Sequence, residues 1–206
     1  MELQVDKVLI WMKAINDNIQ YNKAYLTSLD QAIGDGDHGI NMARGFKEVV
    51  AKISTTEYVN VSDLLKDVSM TLLSKTGGAS GPIYGTAFMR MSTTLKGIET
   101  INYEQFCLSL EAALEGMKQR GKANLGEKTL IDVWVPIIEY LKTRDDLDPD
   151  GLEATAKMAM EATKDMEAKK GRAAYLRERS IGHLDPGSVS SYYIFSALSD
   201  VIKKGA

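Results

Sequence analysis

Apolar residues recur every three or four positions along most of the chain. The pattern is clear near the start, at Val5, Val8, Met12, Ile15 and Ile19. Such spacing places the apolar side chains on one face of a helix. Comparable stretches run over residues 42–53, 64–72, 81–96, 103–117, 130–141, 152–166 and 189–202. The pattern therefore predicts about eight helices, and the short run 58–61 is the best candidate for a strand, without further support.

Helix start signals agree with this pattern. Asn102 and Gln105 have the spacing of a capping box. Asp148 and Asp185 each precede a proline, which favours the first position of a helix. Short links between helices favour antiparallel neighbours, and hence a bundle or helical barrel. With no repeat or interdomain linker in view, we expect one all-α domain over residues 1–206.

Composition narrows the function classes. The 206 residues carry 25 basic and 28 acidic side chains, a net charge of −3, without the basic excess of a general nucleic-acid coat. The single Cys107 excludes a disulfide framework and a cysteine-based zinc site. The first six residues lack the features of a signal peptide, and no apolar run approaches the roughly 18 residues that span a bilayer. We expect a cytoplasmic protein that binds neither nucleic acid nor membrane.

Three glycine-bearing links, residues 30–39, 76–82 and 182–187, each precede a predicted helix, where backbone N–H groups can bind anions. The first link carries Asp30, Asp35 and Asp37. Helix capping accounts for one or two of these carboxylates. Two carboxylates about 5 Å apart repel by roughly 3 kcal/mol at an effective dielectric near 20, which a divalent cation relieves. The all-oxygen set favours Mg²⁺ or Ca²⁺ over zinc, and the spacing is not that of an EF-hand.

The other two links and a basic stretch each have two interpretations. Residues 77–81 form either a tight turn or a backbone cradle for phosphate, with the Ser80 hydroxyl beside it. The third link is either a capped turn or part of the same site. The basic stretch 167–179 is either a solvated face or the source of a phosphate ligand, for which Arg172 between two small residues is best placed. Both histidines of the chain, His38 and His183, lie in these links.

Two glycine patterns imitate nucleotide motifs. Residues 34–39 match the dinucleotide fingerprint, but no strand precedes them. Residues 116–122 resemble a P-loop, yet Ala123 stands where Ser or Thr would bind the metal, and the run ends a helix. We expect neither a Rossmann nor a P-loop site, and no pair of residues signals a hydrolase.

Taken together, the motifs resemble the nucleotide-binding L subunit of the dihydroxyacetone kinases. They occur in the family order over most of the chain. The matching runs are 34–42 (GDGDHGINM), 77–82 (GGASGP), 120–123 (RGKA), 128–134 (KTLIDVW), 170–176 (KGRAAYL) and 179–187 (RSIGHLDPG).

The resemblance implies a barrel of eight up-and-down antiparallel helices with ADP or ATP at one end. It implies that two Mg²⁺ are held by Asp30, Asp35 and Asp37. Three carboxylates and ADP bring roughly −6, against about +4 from two Mg²⁺. The residues implied to surround the nucleotide are His38, Gly39, Ile40, Asn41, Ala79, Ser80, Gly121, Leu130, Arg172, Asp185, Pro186 and Gly187.

The resemblance also implies partners. A K subunit would hold dihydroxyacetone covalently on a histidine, and a phosphohistidine-bearing M subunit would re-phosphorylate bound ADP. No residue of this chain outside the Mg–nucleotide site is then expected to be catalytic. Two alternatives stay open: an ATP-dependent kinase module serving another carrier protein, and a nucleotide-dependent co-regulator of a transcription factor.

Overall fold

A computed structural model describes residues 2–205, and nine α-helices make up most of this part of the chain. Two 3₁₀ segments, Thr163–Asp165 and Arg172–Ser180, lie between the last two α-helices. The helices are α1 (Val5–Tyr21), α2 (Lys23–Ile33), α3 (His38–Ile53), α4 (Val61–Lys75), α5 (Ser80–Thr94), α6 (Tyr103–Gly121), α7 (Ile131–Lys142), α8 (Pro149–Ala162) and α9 (Pro186–Lys204).

The first two helices are separated by Asn22 alone. Its backbone N–H donates to the Asn18 carbonyl at 3.1 Å, and the Leu26 N–H donates to the Asn22 carbonyl at 2.9 Å. Both helices pack against α3 and α9, so together they fill one position of the fold. The sequence pattern missed α2 because its three buried positions include an aspartate, Asp30, which interrupts the apolar stripe.

The helices form a closed ring. Each packs against the next from α3 to α9, and α9 packs against α1. Aromatic side chains fill the interior: Trp11 meets Phe88 and Phe106 edge-on with centroids 6.3 Å apart, and Trp134 meets Phe195 at 4.9 Å. The predicted all-α fold with eight helical positions is confirmed.

The predicted helix caps are present. The Asn102 side chain accepts from the Gln105 N–H at 2.9 Å, and the Gln105 side chain accepts from the Asn102 N–H at 3.0 Å. Asp148 and Asp185 cap α8 and α9, each ahead of a proline.

Two very short strands went unpredicted. Strand β1 (Glu2–Leu3) pairs antiparallel with β2 (Ile101–Asn102). Two residues are too few to show an alternating pattern. The run 58–61, the best sequence candidate for a strand, instead ends the connection before α4 and supplies the first residue of that helix, Val61.

Helices α3, α5, α7 and α9 begin at one end of the ring, because successive helices alternate in direction. The four links that precede them are residues 34–37, 76–79, 122–130 and 163–185. Within residues 2–205, no helix combines the length and apolar character needed to cross a membrane.

Candidate functional site

Two adjoining cavities open where these four helices begin. The polar cavity has a volume of about 340 Å³ and is lined by residues from all four links. A more apolar cavity of about 430 Å³ shares Ala79, Ile83, Leu130 and Gly171 with it. The predicted site residues that line the polar cavity are Asp30, Asp35, Asp37, His38, Ala79, Ser80, Leu130, Arg172, Asp185, Pro186 and Gly187, and Gly121 lines the apolar one.

The three aspartates converge. Each presents a carboxylate oxygen within 4.8 Å of the others. Asp30, in the last turn of α2, also organises the start of α3, because its Oδ2 accepts from the Asp37 and His38 N–H groups at 2.8 and 3.0 Å. Gly34 leaves room for this carboxylate, since a Cβ at that position would collide with Asp30 Oδ1.

One arginine faces the aspartates. The Arg172 Nε donates to Asp35 Oδ2 at 2.9 Å, while the arginine side chain stays 70% exposed. Among residues 2–205, no other basic side chain lies within ion-pair distance of the three carboxylates. The cluster therefore keeps a surplus of negative charge and an all-oxygen donor set, which fits a hard divalent cation.

His38 lies buried between two serines. Its Nδ1 is 3.0 Å from Ser80 Oγ, and its Nε2 is 3.0 Å from Ser190 Oγ. Burial lowers the pKa of His38 to about 4, although the charges of Asp30 and Asp37 act in the opposite direction. A neutral imidazole at pH 7 therefore orients the Ser80 hydroxyl at the N-terminus of α5.

The hydrogen bonds continue from Ser190 into the core. Tyr84 Oη lies 2.8 Å from both Ser190 Oγ and Ser191 Oγ, and it donates to the Gly187 carbonyl at 3.0 Å. Trp134 Nε1 donates to Ser191 Oγ at 3.0 Å. This buried network connects the first turn of α9 to the interior of the ring.

Asp185 caps α9 and lines the polar cavity. Its Oδ2 accepts from the Ser188 N–H at 2.6 Å. Burial raises the pKa of Asp185 to about 7, with the Ser188 bond and the nearby Lys128 charge acting against the shift.

The apolar cavity, which we call the apolar slot, lies between α5, α6 and the start of α7. Pro82, Ile83, Met117, Leu130 and Ile131 supply apolar surface. Gly121 sits at its edge, and a Cβ there would approach Ile83 Cδ1 at 3.5 Å. An apolar lining of this kind suits the apolar or aromatic part of a ligand.

Four residues that the sequence singled out line neither cavity: Gly39, Ile40, Asn41 and His183. Gly39 lets α3 approach α2, because a Cβ there would collide with the Lys23 carbonyl. Ile40 and His183 are exposed, and Asn41 Oδ1 accepts from Arg44 Nη2 at 2.9 Å.

Two residues in and just after the α6–α7 link were not predicted as functional residues: Lys128 lies in the link, and Asp132 lies in the first turn of α7. Asp132 accepts from the Gly126 and Thr129 N–H groups at 2.5 and 2.6 Å and so shapes the link. Lys128 lines the polar cavity and is 1% exposed. The only sequence signal for either is the run 128–134, within which no single residue stands out.

Residues 32–200 match the model of the Dak2 family, described as the DAK2 domain. The chain belongs to this family. It is 50% identical over 96% of its length to the PEP-dependent dihydroxyacetone kinase 1 ADP-binding subunit DhaL of Listeria innocua, covering 97% of that protein. It is 40% identical over 99% of its length to the PEP-dependent dihydroxyacetone kinase ADP-binding subunit DhaL of Escherichia coli, covering 100% of that protein.

Solved structures agree on the fold of this DAK2 domain protein. The dihydroxyacetone kinase of C. freundii, in complex with AMP-PNP and Mg²⁺, superposes with a TM-score of 0.77 at 22% sequence identity. The match covers 97% of this chain and 34% of the kinase, so the chain spans about a third of that protein's length.

Proposed function

We propose that this chain is the ADP-binding subunit of a dihydroxyacetone kinase. In this role it relays a phosphoryl group from a phosphohistidine subunit, through Mg-bound ADP, to dihydroxyacetone held on a partner subunit. The observation that carries the proposal is the convergence of three carboxylates and one arginine beside an apolar slot, at an end of the ring where four helices begin. The names of the full-length relatives support the same role.

The metal ligands in this proposal are Asp30, Asp35 and Asp37, holding two Mg²⁺. Their oxygens suit this ion by type and by spacing. Bound Mg²⁺ supplies charge neutralisation at the phosphates, which is the largest requirement of phosphoryl transfer. Asp30 has a second duty, because its bonds to the N-terminus of α3 keep that helix aligned with the cluster.

The phosphates would be held by groups that already face the polar cavity. The backbone at the starts of α3, α5 and α9 presents N–H donors, which favour anions. Ser80 adds a hydroxyl fixed by His38, and Arg172 adds a guanidinium that can contact phosphate bidentately. The adenine would occupy the apolar slot, with Leu130 between the two cavities.

The remaining parts of the proposal concern organisation. The whole chain, residues 1–206, would act as one nucleotide-binding domain in the cytoplasm. Its partners would be a K subunit that holds dihydroxyacetone and an M subunit that carries phosphohistidine. Gly39, Ile40 and Asn41 remain proposed nucleotide neighbours at the first turn of α3, although they line neither cavity.

The proposal is tested by calorimetric titration of Mg²⁺ and ADP into the purified chain. We expect Asp35→Asn and Asp37→Asn to lose measurable Mg·ADP binding, because each removes a charged ligand. Asp200→Asn, an exposed position on α9 remote from the site, is the matched control and should bind as the unaltered chain does. Failure of the unaltered chain to bind Mg·ADP would refute the proposal.

The relay itself needs a separate measurement. Bound radiolabelled ADP that exchanges slowly with free ATP, yet becomes phosphorylated by a phosphohistidine donor protein, supports the relay. Rapid exchange with free ATP would instead favour a conventional ATP-dependent kinase module.

A further inference from the structure

A buried lysine lies at the base of the segment that carries Arg172. Lys128, in the link before α7, is 1% exposed. Its Nζ donates to the Met166 carbonyl at 2.9 Å and to the Ser180 carbonyl at 2.7 Å. Buried lysines are rare without a partner, and within residues 2–205 no acidic side chain lies within ion-pair distance of Lys128.

The two carbonyls flank residues 167–179, which we call the arginine segment. Further bonds close the same base: the Ala168 N–H donates to Ser180 Oγ at 2.8 Å, and the Lys169 N–H donates to the Glu127 carbonyl at 3.1 Å. One ammonium thus joins the entry and the exit of the arginine segment.

Between its ends, the arginine segment has little packing of its own. Most of its side chains are exposed, Tyr175 by 86%. Its backbone turns through positive φ at Gly171 and Arg177, so it is not one continuous helix. The position of Arg172 over Asp35 therefore depends on how the base of the segment is held.

We propose that Lys128 is a positioning residue that holds the arginine segment in place over the aspartates and thereby sets how long the nucleotide stays bound. This inference rests on the proposed function. Lys128 acts through Arg172, because two of its three N–H donors are already used by the carbonyls.

The decisive variant is Lys128→Met. Methionine keeps the unbranched shape and the backbone strain at φ +59°, since both are L residues, but it donates no hydrogen bond. We expect Mg·ADP to dissociate about 10- to 100-fold faster, the usual effect of removing a residue that orients a ligating group. Lys128→Arg, which keeps the donors, should recover most of the slow dissociation. Lys157→Met, at an exposed lysine of α8, is the matched control.

Dissociation is measured by stopped-flow chase of a fluorescent ADP analogue with excess ADP. Binding of Mg²⁺ alone should not weaken in Lys128→Met, because the aspartates are untouched. A uniform loss of both would indicate general damage and would overturn a positioning role, as would unchanged dissociation.

A second measurement needs no nucleotide. Brief trypsin digestion of the full chain should cut Lys128→Met faster within the arginine segment, after Arg172, Arg177 or Arg179, while cleavage elsewhere keeps its rate. Equal cleavage of the arginine segment in both chains would overturn the positioning role of Lys128. If the unaltered chain bound no Mg·ADP, the proposed function would fail, and so would the proposed effect of Lys128 on nucleotide dissociation. The digestion would still show whether Lys128 holds the arginine segment in place.

Discussion

Arg172 and Asp35 form an ion pair of 2.9 Å across the mouth of the polar cavity. The pair joins the arginine segment to the link before α3, two parts of the chain far apart in sequence. Its exposure limits its contribution to at most about 1 kcal/mol. Its importance lies in placing a guanidinium where a negative ligand and a cation would meet.

Replacing Arg172 by glutamine should shift the binding of metal and of nucleotide in opposite directions. Mg²⁺ alone should bind about two- to fivefold more tightly, because a competing positive charge has left Asp35. Mg·ADP should bind about tenfold more weakly, because a charge-assisted phosphate contact is lost. Calorimetry with and without ADP measures both, and Arg179→Gln in the same segment should change neither. A fall in both affinities would contradict the role assigned to Arg172.

Gly34→Ala should abolish metal binding through Asp30. The new Cβ would collide with Asp30 Oδ1 and displace the carboxylate from the α3 N–H groups. Gly97→Ala is a useful comparison, because Gly97 has φ +79° and open space around it. That variant should lose about 1 kcal/mol of stability from backbone strain and keep its Mg²⁺ affinity. Normal Mg²⁺ affinity in Gly34→Ala would show that Asp30 is not needed.

Asp185→Asn should stabilise the nucleotide-free protein at alkaline pH. Because the folded pKa of Asp185, about 7, exceeds its ordinary value of 3.8, the stability that the protonated carboxyl provides is lost as pH rises through 7. Asparagine still caps the helix and carries no buried charge. In urea unfolding, we expect its advantage over aspartate to grow by at least about 1 kcal/mol between pH 5 and pH 8.

Asp148→Asn provides the matched control for this titration. Asp148 caps α8 in the same way, but hydrogen bonds from Tyr140 and Gly151 lower its pKa. Its contribution to stability is present above the ordinary aspartate pKa and is lost only as pH falls below it. Asp148→Asn should therefore show no widening gap between pH 5 and pH 8. Parallel curves for both variants would refute the assignment for Asp185.

Tyr84→Phe and Tyr103→Phe should cost similar stability with different effects on binding. Each removes a hydroxyl that donates to a backbone carbonyl, that of Gly187 and that of Leu141 respectively. Each carbonyl keeps another donor, Ser190 Oγ and the Arg144 N–H respectively, so the loss of one such hydrogen bond costs about 0.5–1.5 kcal/mol. Only Tyr84→Phe should weaken Mg·ADP binding, by roughly 3- to 10-fold, because it loosens the start of α9. Equal Mg·ADP affinity in both variants would show that the buried network around Tyr84 does not support the site.

Sequence patterns predicted the ring and the acidic cluster well, for clear physical reasons. Apolar stripes report which helix faces are buried, and closely spaced carboxylates report an electrostatic cost that needs compensation. The stripe failed for α2 because Asp30 faces inward there. Lys128 also escaped prediction, because its partners are backbone carbonyls, which every residue carries. Gly39 was predicted beside the nucleotide from its motif, yet its lack of a Cβ is required by the contact between α2 and α3.

The interruption at Asn22 keeps the number of ring members even. A closed ring of alternating helices requires an even number of members, since an odd one would leave two neighbours pointing the same way. Nine separate members would leave α1 and α9 running in the same direction where the ring closes. By continuing one member through Asn22 instead of reversing the chain, the fold keeps an even count. A single non-helical residue thus keeps α1 antiparallel to both of its ring neighbours, α3 and α9, whereas a full turn at the same place would close the ring with a parallel pair.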